Sequence, residues 1–312
     1  MKISIVTPVH NGARFLPLTI QSVLAQTCTD WQWTIVDDGS TDATGDIACH
    51  AAAGDSRIRV ISQGNVGVSG SRNRGYCASD PAAEFVIFLD ADDLWEPSAL
   101  ETLVQALQTR PDVLAAYGLA VAIDAEGQWV DQGFLEQHQR ERWGIEGGRL
   151  TLWPQGKPTT FAVEAVTECI ITPGTVLIRR TALEELCDAE AVTGPFDPRL
   201  SLWADWDLWL RLTRLGGMRF VDEPVLRYRR HGSNLSCSPE FYAAARRVRR
   251  KMIAGLRHEP KRLRVALLGS RSHYRLRAAT HLRWARGCVS EHRPRAALRQ
   301  LRHAAHNYAH SL

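Results

Sequence analysis

The chain has 312 residues, 45% hydrophobic and 23% charged, a composition that suits one large domain with an appendage and excludes a disordered chain, a collagen-like fibre or a coiled-coil rod. Residues 239–312 carry 18 Lys and Arg against 3 Asp and Glu, so the net +4 divides into +15 there and −11 over residues 1–238. No window reaches the roughly 18 apolar residues of a membrane span, and seven scattered Cys without a Cys-x-x-Cys pair give neither a disulfide framework nor a zinc knuckle.

Ile3 to Val6 reads as a first strand, broken at Pro8 too early for a secretion signal. A cytoplasmic location is the expectation. After Asn11-Gly12, Phe15, Ile20, Val23 and Leu24 recur at near-helical spacing. Trp33 to Val36 is a second strand, halted by Asp37-Asp38-Gly39-Ser40, with Ser40 or Thr41 as the expected cap of the next helix. Ile58 to Ile61 is a third strand. The glycine-rich stretch Gly64 to Gly70 then opens a helix near Ser71 to Ala78. Phe85 to Leu89 is wholly apolar, which predicts a fourth strand buried on both faces. It ends at Asp90-Ala91-Asp92-Asp93. Pro97 fits the first position of a helix carrying Leu100, Leu103, Val104 and Leu107. The alternation predicts an α/β fold, a mostly parallel sheet flanked by helices.

Farther on, Ala115 to Ile123 and Gln128 to Val130 flank a hairpin turn at Asp124 to Gly127. Residues 131–168 show no clean period and read as a mobile loop region. Order returns with a strand at Thr175 to Ile178, helices at Thr181 to Leu186 and Asp205 to Leu215, and a strand at Arg219 to Arg229. From Glu240 the pattern is helical, with breaks at Pro260 and Pro294 and a candidate helix pair joining Leu282–Ala285 to Ala296–Leu301.

Two acidic clusters, Asp37-Asp38 and Asp90 to Asp93, stand just past the carboxyl ends of predicted parallel strands, the edge where open α/β sheets bind ligands. Carboxylates gathered there repel unless a cation lies between them, and Mg²⁺ or Mn²⁺ suits oxygen ligands. Taken singly, each cluster is also an ordinary turn or helix cap. Gly64 to Gly75 follows a strand and opens a helix, so its backbone suits an anion, with Arg72 or Arg74 to assist.

Six segments in order resemble the signatures of family 2 glycosyltransferases with the GT-A fold. They are Val6 to Gly12, Val36 to Asp42, Asn65 to Ser69, Phe88 to Asp93, Asp205 to Leu212 and Tyr228 to Asn234. The likeness covers roughly the first 235 residues. It implies a catalytic domain over residues 1–238, with a nucleotide-binding half at 1–110 and an acceptor half at 111–238, followed by a basic helical extension at 239–312. Thr7, Pro8 and Val9 would line the nucleobase pocket. Asp38 would accept from the base with Asp37 in support. Asn65, Gly67, Arg72, Asp90 and Ala91 would bind the nucleotide and diphosphate. Asp92, Asp90 and His231 would hold the divalent metal ion, Mn²⁺ or Mg²⁺. Asp205 would be the general base, with Asp207 as its rival. The family's usual Glu-Asp is Ala204-Asp205 here. The implied reaction is inverting transfer of a sugar from a nucleotide sugar, UDP-linked, to a saccharide or lipid-linked saccharide hydroxyl. The alternatives are a nucleotidyltransferase, which would release pyrophosphate, and a catalytically degenerate binding module.

Trp203 and Trp206 flank the expected base and fit either acceptor stacking or core packing, whereas Trp209 reads as core. His303, His306 and His310 share one helical face and read as a solvated surface rather than a metal site. The basic tail suits an anionic membrane surface at residues 240–312, a diphosphate-bearing acceptor, or the acidic body itself; no nucleic-acid motif accompanies it. The first of these readings would place the protein at the inner face of the membrane as a peripheral component.

Overall fold

A computed structural model describes residues 2–130, 134–290, 298 and 300–305, with the backbone alone at 134, 277, 280, 281, 283, 284 and 287–290. The first half runs β1 (Ile3–Val9), α1 (Leu16–Leu24), β2 (Trp31–Asp37), α2 (Thr44–Gly54), β3 (Ile58–Ser62), α3 (Val68–Ala78), β4 (Phe85–Phe88), β5 (Leu94–Trp95) and α4 (Ala99–Gln108). The second half runs β6 (Ala115–Ile123), α5 (Phe134–Arg140), β7 (Trp143–Glu146), β8 (Arg149–Leu152), α6 (Phe161–Glu164), β9 (Val176–Arg179), α7 (Arg180–Glu190), α8 (Ala204–Leu215) and β10 (Met218–Arg229). Helices α9 (Phe241–Gly255) and α10 (Pro260–Ser290) follow.

One sheet organises the body, in the order β3-β2-β1-β4-β9-β6-β10-β5. Strands β9 and β5 pair antiparallel with their neighbours; the other contacts are parallel. The mostly parallel α/β expectation therefore holds. Parallel direction brings the carboxyl ends of β1, β2, β4, β6 and β10 to one rim. Helices α1, α2 and α4 cover one face, where Leu16, Ile20, Ala48, Leu100 and Leu103 pack on Ile3, Ile5, Trp33 and Ile87. Helices α3, α7 and α8 cover the other, with Tyr76, Leu183, Leu208 and Trp209 against Val6, Val86 and Phe88. Residues such as Ile5 and Val86, inside β-branched runs with no polar alternation, are buried because both faces are covered. Each such side chain contributes about 1.5–3 kcal/mol.

Several local expectations are corrected. Ser40 and Thr41 do not cap α2; that helix starts at Thr44, and the Asp42 carboxylate accepts from the Thr44 amide at 3.0 Å. Pro97 lies before the cap residue Ser98 rather than at the first helical position. The turn at Asp124 to Gly127 forms, with Asp124 Oδ1 accepting from the Glu126 and Gln128 amides at 3.0 and 2.8 Å, but Gln128 to Val130 makes an isolated bridge between Ile123 and Trp129 rather than a strand. The stretch read as a mobile loop holds α5, the antiparallel β7–β8 hairpin and α6, apart from residues 131–133, which are outside the described residues. Its order comes from buried anchors without a regular period. The Arg142 side chain is fully buried and donates to the carbonyls of Pro154, Gln155 and Lys157. Gln139 clamps the Ala120 backbone at 2.8 and 2.7 Å.

The tail is helical as expected, and Pro260 begins α10. The pairing of Leu282–Ala285 with Ala296–Leu301 cannot be followed because Pro294 and Ala296 lie outside the described residues, as do His306 and His310. Helices α9 and α10 are packed on the body through a third cluster of Phe161, Ala165, Trp206, Leu210, Val248, Leu256 and Ala266. Among the described residues no helix is long and apolar enough to cross a membrane, and Cys28, Cys49, Cys77, Cys169, Cys187 and Cys237 are free thiols.

Gly75 shows how closely α3 sits on the sheet. A Cβ there would stand 2.3 Å from Val6 Cγ1 and 3.1 Å from Val36 Cγ2. This glycine therefore serves helix-to-strand packing rather than close approach to an anion. Gly75→Ala should lower the unfolding free energy by about 1–3 kcal/mol, read as a lower urea midpoint at unchanged m; an unmoved midpoint would contradict the packing argument.

Candidate active site

The rim gathers side chains from six elements and their following loops. At the β1 and β2 ends, Val9 pairs with Asp37, and the Val9 carbonyl accepts from the Asp38 amide at 2.8 Å. Asp37 Oδ1 accepts from the Ser40 amide at 3.0 Å. Thr7, Pro8 and Val9 are all buried, and the Thr7 hydroxyl accepts from the Trp33 indole at 2.9 Å, so Thr7 is turned into the core and away from the rim. Asp38 is held by three donors. Its carboxylate accepts from Gln63 Nε2 at 2.8 Å and from the amides of Val66 and Gly67 at 2.9 and 2.8 Å. It therefore occupies the loop at the start of α3, where an external anion was expected. Burial alone would raise its pKa, but the bonds from Gln63, Val66, Ser71 and Gly67 together lower it. Gly67 takes φ +85° here, a conformation open to glycine. Asn65 Nδ2 approaches the exposed His10 ring at 3.4 Å.

From α3, the buried Arg72 guanidinium donates to Asp90 Oδ1 at 2.5 Å and lies over the Phe196 ring at 5.1 Å. Its Nε has no hydrogen-bond partner. The Ala91 carbonyl accepts from Thr19 Oγ1 at 2.8 Å, which fixes the acidic turn to α1. Asp92 Oδ2 accepts from His231 Nε2 at 2.9 Å and from Asn234 Nδ2 at 3.3 Å, while His231 Nδ1 meets Ser233 Oγ at 2.9 Å. Asp92 and His231 thus meet as expected, although 139 residues separate them. Asp90 does not join them. Its carboxylate is taken by Arg72, and among the described residues no three His, Cys, Asp or Glu side chains cluster as metal ligands.

Asp205 stands in the first turn of α8, where the helix dipole favours a carboxylate, and its Oδ1 accepts from the Trp206 amide at 2.8 Å. Burial raises its pKa, and the Arg72 charge pulls the other way. Asp207, two residues on, is buried in ion pairs with Arg211 at 2.9 Å and Lys251 at 2.7 Å, on the side of α9. It is spoken for. Trp206 is buried between α6, α9 and α10 and donates its indole N–H to the Glu164 carbonyl at 3.2 Å. Trp203, at φ +61°, donates to the Phe241 carbonyl at 2.8 Å and packs on the Phe241 ring at 4.4 Å. Both tryptophans hold the tail; buried Trp206 has no face to give a sugar.

Arg229 and Glu164 escaped the sequence reading, which gave Asp93 no role beyond membership of the acidic cluster. Arg229 is 1% exposed; its amide donates to Asp93 Oδ1 at 2.9 Å and its Nε to the Asp92 carbonyl at 2.9 Å, so it ties β10 to the acidic turn. Asp93 itself is fully buried, and desolvation with the charges of Asp92 and Asp90 pushes its pKa well up. Glu164 is fully buried in the stretch that showed no pattern. Its Oε1 accepts from Cys169 Sγ at 3.3 Å and its Oε2 has no hydrogen-bond partner. Desolvation pushes its pKa up to about 8, with Glu168 and Asp205 adding to the rise. Arg229 lies inside the Tyr228 to Asn234 segment and Asp93 inside Phe88 to Asp93, whereas Glu164 has no such signal.

Glu164 has a consequence for stability. Below its unfolded value near 4.5 both states are protonated; between there and about 8 the unfolded chain releases the proton that the folded chain keeps. Stability should therefore fall by several kcal/mol as pH rises across that window. Glu164→Gln should flatten the fall, measured as urea midpoints at stepped pH. An unchanged slope would contradict the assignment.

The sequence model described as glycosyl transferase family 2 matches residues 4–187. An uncharacterized glycosyltransferase of Nostoc sp. is 32% identical over 236 residues, covering 75% of this chain and 66% of that protein. Chondroitin synthase of Escherichia coli is 26% identical over 240 residues, covering 75% of this chain and 30% of that protein. The chain thus spans less than two thirds of the length of these curated relatives. Among solved structures, S. aureus TarS 1–349 in complex with UDP-GlcNAc superposes with a TM-score of 0.61 at 15% identity, over 99% of this chain and 92% of that one. Mannosyltransferase PcManGT from Pyrobaculum calidifontis, in complex with GDP-Man and Mn²⁺, gives 0.57 at 15% identity, over 98% and 74%. With this sheet order, this rim and the matched segment, the chain belongs to glycosyl transferase family 2, on a fold of the GT-A type.

Proposed function

We propose that the protein transfers a sugar from a nucleoside diphosphate sugar to an acceptor hydroxyl, with Asp205 as general base and inversion at the anomeric carbon. The observation that carries this reading is the placement of Asp205: a carboxylate with a burial-raised pKa, in the field of the Arg72–Asp90 pair. Residues 1–110 form the nucleotide half, 111–238 the acceptor half and 239–312 the extension. The donor is a UDP-sugar, by likeness of fold to TarS, which was solved with UDP-GlcNAc. The acceptor is a saccharide or lipid-linked saccharide in glycan assembly, in keeping with the chondroitin synthase relative.

In this reading Asp205 accepts the proton of the acceptor hydroxyl as its oxygen bonds to the anomeric carbon. The bond from that carbon to the diphosphate breaks, and the nucleoside diphosphate leaves with the electron pair. Arg72 faces the charge that develops on the leaving group. Pro8, Val9, Asp37, Asn65, Gly67 and Ala91 shape the nucleotide end, with Asp38 acting through the loop it holds. The donor set on the rim, one carboxylate and one imidazole, fits Mn²⁺ or Mg²⁺, since such ions bind through one or two carboxylates and complete their shell with substrate phosphates. Asp92 and His231 would hold that ion, which supplies positive charge to the diphosphate when bound. Asp90, held by Arg72, positions the guanidinium.

Two measurements test the reading. Incubated with Mn²⁺ and a panel of sugar nucleotides, the protein should release nucleoside diphosphate from its preferred donor; inertness there, with pyrophosphate released from a nucleoside triphosphate and a sugar 1-phosphate, would instead mark a nucleotidyltransferase. Asp205→Asn should cut transfer by a factor on the order of 10²–10⁴ while nucleotide affinity stays near normal. An active Asp205→Asn protein would reassign the base.

A further inference from the structure

We propose that the outer face of α10, together with the β7–β8 hairpin, docks the protein on an anionic lipid bilayer. Helix α10 contains no Asp or Glu. Arg264, Arg271, Arg275, Leu282 and Arg286 are all exposed. Their separations of seven, four, seven and four residues put them on a single helical stripe, about 33 Å long at 1.5 Å per residue. Exposed Leu267 borders the stripe, and exposed Lys261 extends it at the helix start.

The hairpin continues this face. Its turn at Gly148 lies beside Arg264, whose Nη2 is 3.5 Å from the position a Cβ would take there. Leu150 and Leu152, on one side of β8 and 39% and 53% exposed, have no core to fill. Cations interleaved with exposed leucines match a lipid interface, where headgroups attract the guanidinium groups and the acyl boundary takes the leucines. Phosphodiester backbone would use the cations and leave four leucines in water.

The face is also fixed in space. Gly269 brings the α10 backbone against α6, where a Cβ would stand 2.6 Å from the Ala165 carbonyl oxygen. His273 Nδ1 meets the Val166 carbonyl at 2.9 Å. The stripe is therefore displayed without being ordered on contact. Charge sets the orientation as well: the body at −11 is repelled by anionic lipid and the tail at +15 is drawn to it.

The test uses the full chain, because removing the tail would strip the cover from Trp206 and Leu210. Vesicles of phosphatidylcholine alone and of equimolar phosphatidylcholine and phosphatidylglycerol are sedimented with the protein at low and high salt. The protein should pellet with the anionic vesicles alone and be released by salt, whose screening length falls to about 10 Å at 0.1 M. R264E/R271E/R275E should weaken the partition by about a hundredfold or more, and L150S/L152S should weaken it while leaving the salt dependence in place. Donor hydrolysis by both variants should match the parent protein, since none of these residues touches the rim. That readout also separates failure of the docking surface from failure of the transferase reading. The proposal is overturned by absent pelleting at low salt, by a charge-reversed variant that pellets like the parent, or by stripe-dependent binding to a DNA duplex without vesicle binding.

Discussion

One buried guanidinium organises the rim. Arg72 is held over the Phe196 ring and bonded to Asp90, and its charge opposes the burial that raises the pKa of Asp205. The three groups come from α3, the turn after β4 and the first turn of α8, so the arrangement exists only when both helices close on the same face of the sheet. Arg72 pairs directly with Asp90 and acts on Asp205 through its field, so the one cation offsets part of the cost of burying the second carboxylate. With Nε unpartnered, the guanidinium keeps donor capacity for a further anion. In the proposed reaction that further anion is the diphosphate of the donor.

A second set of contacts fixes the other end of the rim. Buried Asp93 accepts from the Arg229 amide, and the Arg229 side chain in turn donates to the Asp92 carbonyl, so two bonds between side chain and main chain fasten the acidic turn to β10. His231 and Asn234 then reach Asp92 from the segment that follows β10. On the far side, Trp203 and Trp206 carry α9 and α10, and Asp207 reaches Lys251. Successive residues at the start of α8 therefore serve different ends: Asp205 the rim, Trp206 and Asp207 the tail. The extension is packed into the same body that positions Asp205, so its basic face is presented at a constant attitude to the rim.

The legible parts of the sequence are those where one physical demand repeats. Unbroken apolar runs such as Phe85 to Phe88 announce a strand covered on both faces, and acidic residues directly after them announce the ligand edge. What escaped is set by partners distant in sequence. Asp38 looks like a free rim carboxylate until Val66 and Gly67 are folded onto it. Thr7 looks like a pocket residue until Trp33 claims its hydroxyl. The stretch from 134 to 164 has no period because its order rests on Arg142 and Gln139 bonding to carbonyls and amides, which any sequence supplies. Trp206 fits a sugar platform or a core equally well by spacing; packing against Val248 and Ala266 decides for the core.

The central claim is that Asp205 takes the acceptor proton and that its affinity for that proton is set by burial against Arg72. The most direct measurement is the pH dependence of the transfer rate in the parent protein and in Arg72→Gln. The parent should gain activity as Asp205 ionises above the ordinary aspartate range, and the variant, slower throughout, should have that rise displaced to higher pH because the opposing charge is gone. A rise at the same pH in both proteins, or a rate flat across the acidic range, would contradict the account.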